Sequence, residues 1–261
     1  MLSPDPLPAV REFTVDALTV RVHASPDHLA RDAAQVAEAH LREVLTRQGG
    51  AAVILASATS QLLFLEALVC LRGLDWSRIT LFHMDEYLGM QADHPASFRR
   101  FLRERVQARI QPRAFHFLEG DTAEPLQECE RYARLLQAQP IDLCCLGIGE
   151  NGHIAFNDPP VADFEDPAAV KLVKLDEACR RQQVGEGCFP SFTAVPPYAF
   201  TLTVPRLCAA RKMLCVVPER RKAVAVRNAL RGPVTTACPA SILRRQPQCT
   251  LFLDAESAAL L

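Results

Sequence analysis

Ile141-Asp-Leu-Cys-Cys-Leu-Gly-Ile-Gly-Glu-Asn-Gly-His-Ile-Ala-Phe-Asn-Asp-Pro-Pro160 is the stretch that decides how this chain is built. Its first seven residues form an apolar run that suits a buried strand. The polar, glycine-rich residues that follow stand where an open α/β sheet places its ligand loops, just beyond the carboxyl end of a strand. Gly147-Ile-Gly-Glu-Asn-Gly152 also matches G-x-G-x-x-G. A dinucleotide site needs a helix directly afterwards, so that the pyrophosphate meets its N-terminus. Only six residues separate Gly152 from Pro159-Pro160, too few for that helix, and the match lies mid-chain. A nicotinamide or flavin site is not expected.

Working outward, apolar β-rich runs recur with helical stretches between most of them. The patterning predicts strands at 20–24, 52–56, 79–84, 141–147, 198–204, 213–217 and 250–253. It predicts helices at 26–46, 60–72, 97–110, 125–137 and 219–231. In the third of these, Phe98, Phe101, Leu102 and Val106 share a face. Strands alternating with helices predict an α/β fold: a single-domain, mostly parallel, doubly wound sheet with helices on both faces. With no repeat or long linker, residues 1–261 read as one Rossmann-like domain. Residues 159–197 show weak periodicity and read as an irregular excursion over the sheet edge, placed as a lid would be.

Bulk properties narrow the function classes. A net charge of -1 argues against nucleic acid or an anionic membrane recognised by charge. No apolar run approaches the ~20 residues needed to span a bilayer. Met1-Leu-Ser-Pro-Asp-Pro6 carries neither the basic region nor the apolar core of an export signal. The ten cysteines contain no Cys-x-x-Cys pair, and most lie in apolar runs, as Cys144-Cys145 does. They read as small buried hydrophobes in a reducing, cytoplasmic compartment rather than as disulfides or metal ligands.

Four polar segments follow strands: Ser57–Ser60, Asp85-Glu86-Tyr87, Gly147–Asp158 and Glu219–Lys222. Asp85-Glu86 puts at least one carboxylate at the ligand edge, where Met84 and Tyr87 would desolvate it and make it a usable base. Taken alone, the pair reads more readily as a solvated cap on the next turn. His153 lies in a glycine loop, five residues before Asp158. A histidine with carboxyl or amide neighbours can shuttle protons once its tautomer is fixed.

Together these segments resemble one family. His83-Met-Asp-Glu-Tyr-Leu-Gly89, followed by His94-Pro95-Ala96-Ser97, is similar to the Met-Asp-Glu-Tyr segment of glucosamine-6-phosphate deaminases (isomerases). Gly147-Ile-Gly-Glu-Asn-Gly-His-Ile-Ala-Phe-Asn-Asp-Pro159 resembles that family's catalytic loop. The related 6-phosphogluconolactonases typically read Gly-His-Thr-Ala-Ser-Leu-Phe-Pro there. The resemblance implies that Asp85 moves a proton between C2 and C1 of an open-chain amino sugar, with Glu86 beside it. It implies that His153 assists ring opening, supported by Asn151 and Asp158. The implied reaction takes an amino-sugar 6-phosphate, glucosamine 6-phosphate or an epimer such as galactosamine 6-phosphate, to a ketose phosphate and ammonia. It needs no metal and no organic cofactor.

The chain departs from the pattern at both ends of the implied site. Asn151 stands where the family usually has Asp, and Asp158 where it has Glu. The family's Thr-Gly-(Gly/Ser)-Thr phosphate loop reads Ser57-Ala58-Thr59-Ser60, and Gln183 falls where an arginine is expected. Gly149, Gly152 and Lys222 remain to complete the expected binding set. A lactone hydrolase and a non-catalytic sugar-phosphate sensor stay open as alternatives, as does a homo-oligomer.

Overall fold

The computed structural model of the protein describes residues 9–261; residues 1–6, read above for an export signal, lie outside them. The described chain opens with a hairpin, β1 (Arg11–Val15) and β2 (Leu18–His23). Ser25 then caps α1 (Pro26–Gln48) by accepting a hydrogen bond from the His28 N–H. Gly49, at φ 77°, ends that helix in the left-handed conformation glycine tolerates best. Next come β3 (Ala51–Leu55), α2 (Leu62–Cys70) and β4 (Ile79–His83). The short β5 (Asp85–Tyr87) leads to α3 (Phe98–Arg105), β6 (Ala114–His116), α4 (Pro125–Gln137) and β7 (Leu143–Leu146). Beyond the His153 loop lie β8 (Val170–Lys174), α5 (Glu177–Gly185), β9 (Tyr198–Leu202) and α6 (Val204–Cys208). The chain finishes with β10 (Met213–Val217), α7 (Ala223–Arg231) and β11 (Cys249–Asp254).

Eight strands form the main sheet in the order β1-β2-β11-β10-β7-β3-β4-β6, parallel throughout except for the β1–β2 edge pair. Successive strand residues face opposite ways. Ala51, Val53 and Leu55 therefore join a core with α1, α2 and α3, while Ala52 and Ile54 join the core under α4, α6 and α7. This two-sided burial is why the strands read as unbroken apolar runs. Each large side chain so buried contributes roughly 1.5–3 kcal/mol. From β3 the chain builds outward through β4 and β6, then returns to β7 and builds the other way. The order reverses between β3 and β7, and a crevice opens at such a point beyond the strand ends.

The fold is the expected doubly wound α/β sheet, with two corrections. The run at 198–204 lies outside the main sheet: β9 is the centre of a second, antiparallel sheet, β5-β9-β8. An apolar run reports burial and not the partner, and β5 is the segment read above as a polar loop. The excursion at 159–197 is also more ordered than its periodicity predicts, since it holds β8 and α5. Val173, Leu175, Cys179, Phe189 and Val195 from it pack with Tyr87 and Phe156 in a third cluster. Among the described residues no helix is long and apolar enough to cross a membrane.

Polar groups pin the carboxyl end of β4. The Tyr132 hydroxyl accepts from the His83 N–H and lies 2.9 Å from the carbonyls of both His83 and His116. The Leu118 N–H donates to His83 Nε2 at 2.7 Å, so that nitrogen must be unprotonated. Burial, and then the Arg99 cation, hold the His83 pKa down from 6.5 to about 3. An unfolded His83 takes a proton as pH falls through 6.5, whereas the folded one does not until about 3. Between those values the unfolded chain binds more protons, so stability falls with falling pH. The stability advantage of wild type over His83→Gln should therefore shrink as pH is lowered through that window, read by urea unfolding at a series of pH values. A difference constant with pH would contradict it.

Candidate active site

Strand geometry divides the two acids after β4. Adjacent residues in a strand point to opposite faces, and β5 holds Asp85 and Glu86 in antiparallel register with Thr201 and Phe200 of β9. Glu86 turns away from the cleft to the start of α3. It accepts hydrogen bonds from Ser97 Oγ (2.8 Å) and from the N–H groups of Arg99 (2.9 Å), Tyr87 (3.0 Å) and Phe98 (3.3 Å). The Phe98 and Arg99 N–H groups are free donors of the α3 N-terminus, which Ser97 caps. Glu86 does not line the cleft, which corrects its expected place in the catalytic set; its carboxylate is committed to holding α3.

Asp85 faces the other way, into the cleft, at 7% exposure. Its Oδ1 has no hydrogen-bond partner among the described residues. Burial, and then the Glu86 carboxylate beside it, raise its carboxyl well above the ordinary aspartate range. A carboxylate so desolvated and set beside a like charge is a stronger base than one in water.

The loop after β7 supplies the histidine. His153 Nδ1 lies 2.9 Å from Asp158 Oδ1, which also accepts from Asn151 Nδ2 at 2.9 Å. Asn151 reaches Asp176 Oδ2 with the same amide and accepts the His153 N–H on its Oδ1. The Asp176 N–H closes the ring on Asp158 Oδ2 at 3.0 Å. Burial alone would raise the Asp158 carboxyl, but His153, Asn151 and the Asp176 N–H together hold it below the ordinary value. A carboxylate on Nδ1 favours the proton there and leaves Nε2 free as an acceptor. Gly149 makes the space: a Cβ built on it would stand 2.2 Å from His153 Cε1 and 2.3 Å from Nε2. Cys179, Asp158 and His153 have ligand atoms within 4.8 Å of one another. Burial and Asp158 push the Cys179 thiol up, keeping it protonated and a poor metal ligand.

The loops on either side of the strand-order reversal frame the cleft. It is lined by Ser57, Ala58 and Ser60 after β3, Gly147–Gly149 after β7, and Asp85, His153, Gln182, Gln183 and Lys222. Counted together with the solvent at its open mouth, the cleft holds about 490 Å³ of space. Lys222 is 3% exposed at the end of a turn that begins at Glu219. Glu219 takes a φ of 84°, uncommon outside glycine, and its N–H is held by Asp254 Oδ2 at 3.1 Å. Burial lowers the Lys222 pKa, and the Glu186 carboxylate offsets part of that.

Of the other expected residues, Asn151 and Asp158 stand behind His153 rather than in the cleft. Two more expectations are corrected. Thr59 turns out of the cleft, and its hydroxyl donates to Glu186 Oε2 at 3.3 Å. Gly152, at φ 85°, is a turn residue whose Cβ would strike Cys238 Sγ at 2.8 Å. Sequence reading missed Asp176, Gln182, Glu186 and Arg221. Gln182 accepts the Glu150 N–H and donates to Glu186 Oε1. The spacing of Gln182 and Glu186 puts them one helical turn apart, a signal hidden by the weak periodicity of α5.

Residues 24–252 match the family model described as glucosamine-6-phosphate isomerases/6-phosphogluconolactonase. A glucosamine-6-phosphate deaminase of Exiguobacterium sibiricum is 38% identical over 187 residues, covering 72% of each chain. This chain belongs to that family of enzymes. Among solved structures, a monomeric glucosamine-6-phosphate deaminase aligns over 93% of this chain and 99% of its own, at 29% identity and a TM-score of 0.85. The family's fold extends to a 6-phosphogluconolactonase of Shewanella baltica, with a TM-score of 0.74 at 21% identity over 93% of this chain and 98% of that one.

The space over Gly149 yields a direct test of the histidine's placement. Gly149→Ala should push the imidazole out of position while leaving both cores intact. A misplacement of that size costs on the order of a hundred-fold in rate, so kcat/KM should fall about that far with little change in Tm. An unchanged rate in the folded variant would show that the position of the ring is immaterial.

Proposed function

We propose that this protein is a deaminating aldose–ketose isomerase acting on an amino-sugar 6-phosphate. Its substrate is glucosamine 6-phosphate, giving fructose 6-phosphate and ammonia, or an epimer such as galactosamine 6-phosphate. The observation that carries this reading is the buried Asp85 carboxylate, unpartnered on Oδ1 and sharing one cleft with His153.

The chemistry asks for those two groups. His153, oriented through Nδ1 by Asp158, passes the proton of the C1 hydroxyl to the ring oxygen and opens the sugar. Asp85 then takes the C2 proton and returns it to C1, turning the amino aldose into a ketimine. Water adds at C2 and ammonia leaves, so sugar and water become ketose and ammonia. Lys222 and the hydroxyls of Ser57 and Ser60 hold the phosphate, Ser57 Oγ being buried without a partner among the described residues. The first turn leading into α2 adds free N–H groups and a positive dipole end. Asn151 serves where a second acid is usual: it orients His153 and Asp158 but adds no charge to stabilise imidazolium. The ten cysteines are free and mostly buried, which supports a reducing, cytoplasmic setting.

A lactone hydrolase needs no base at a C–H carbon, and a sensor needs no base at all. Ammonia release measured across glucosamine, galactosamine and mannosamine 6-phosphates, with 6-phosphogluconolactone hydrolysis measured in parallel, separates these readings. We expect ammonia from at least one hexosamine 6-phosphate and no acceleration of lactone hydrolysis. Lactone turnover without ammonia release, or no turnover of either, would overturn the deaminase reading.

A further inference from the structure

Lys222 lines the cleft with Arg221 next to it in sequence, and both cations already face carboxylates. Arg221 Nη1 lies 2.8 Å from Glu186 Oε1 and 3.6 Å from Glu150 Oε1, and its Nε pairs with Glu219. Lys222 Nζ lies 4.0 Å from the same Glu186 oxygen, too far for a hydrogen bond. Glu186 is no surface residue, since its side chain is 3% exposed. It draws in Gln182 Nε2 at 2.7 Å and the Thr59 hydroxyl at 3.3 Å. Thr59 belongs to the loop whose Ser57 and Ser60 line the cleft. Glu186 thus gathers a guanidinium, an amide, a loop hydroxyl and a nearby ammonium, the partners an anionic ligand would use. Two cations face three carboxylates here, an excess of negative charge before any ligand arrives.

We propose that Glu186 is a resident counter-anion of this site, with which a substrate's phosphate competes for Lys222 and Arg221. The inference rests on the reading of the substrate as a sugar phosphate. Like charges at short range in a partly buried site repel strongly. Phosphate therefore enters only as Glu186 gives up these contacts, and Glu186 sets how tightly the site discriminates for a dianion. The backbone bonds that would loosen are those at the end of α5: Glu186 N–H to Gln182 O, Gly187 N–H to Val184 O and Cys188 N–H to Gln183 O.

Calorimetric titration with inorganic phosphate tests this without requiring turnover. Glu186→Gln keeps an amide for Gln182 and Thr59 but removes the charge, so phosphate should bind about ten-fold tighter than to wild type. Lys222→Ala should move affinity the opposite way. Equal or weaker phosphate binding by a folded Glu186→Gln overturns the proposal. Should that variant fail to fold, hydrogen exchange of the wild type decides. Saturating phosphate should speed exchange of the Glu186, Gly187 and Cys188 amides, and unchanged or slowed exchange overturns the proposal. Failure of the ammonia assay with tighter phosphate binding in Glu186→Gln would reject the deaminase reading and leave this inference standing.

Discussion

Two neighbouring carboxylates, both buried at the end of one strand, are the constraint on which the site depends. Burying two like charges side by side is costly unless one is satisfied or neutralised. The fold separates their fates by strand alternation. Glu86 collects four hydrogen bonds, three of them at the start of α3, while Asp85 Oδ1 receives none and faces the cleft. The satisfied acid anchors the helix that walls the site and raises the proton affinity of its neighbour. Behind them the His83–Tyr132–Leu118 hydrogen bonds fix the end of β4, so the strand cannot slide and exchange the two roles.

The second organising element is α5, which joins the two ends of the site. At its start the Asp176 N–H holds the carboxylate that orients His153. Just past its end, Glu186 meets Arg221 and Lys222. One helix therefore has a hand on His153 and on the cations Arg221 and Lys222. The altered residues make sense together in this light. Asn151 is placed where one amide bridges Asp158 and Asp176, so loss of the usual acid is matched by a tie to the α5 start. The loss of loop glycines leaves Thr59 free to serve Glu186 instead of a ligand.

Much of this was legible in the sequence. Apolar runs separated by helical stretches gave the doubly wound sheet, because burial on both faces leaves that signature. Asp85, His153, Ser57, Ala58, Ser60, Gly149 and Lys222 line one cleft because each follows a strand at the same edge of the main sheet, and Gln183 joins them from α5. What was not legible depends on direction and partners. The pair Asp85-Glu86 gives no hint of which acid faces inward until β5 is known to pair with β9. Gly152 and Gly149 look alike as loop glycines, yet one avoids Cys238 and the other makes room for the His153 ring. Glu186 reads as a surface acid beside a glycine, and only the packing of α5 against the Glu219–Lys222 turn buries it.

If Asp85 alone carries the proton between C2 and C1, turnover in deuterium oxide records it in the product. With the hexosamine 6-phosphate that releases ammonia, the fraction of protons that Asp85 exchanges with solvent before reprotonating C1 should appear as deuterium at a single prochiral position of C1 in the ketose product, since one base serves one face of the sugar. Asp85→Asn should lose both deuterium incorporation and ammonia release by about a thousand-fold or more, while still binding the sugar phosphate. Deuterium at both C1 positions, or near-wild-type incorporation by Asp85→Asn, would contradict the account.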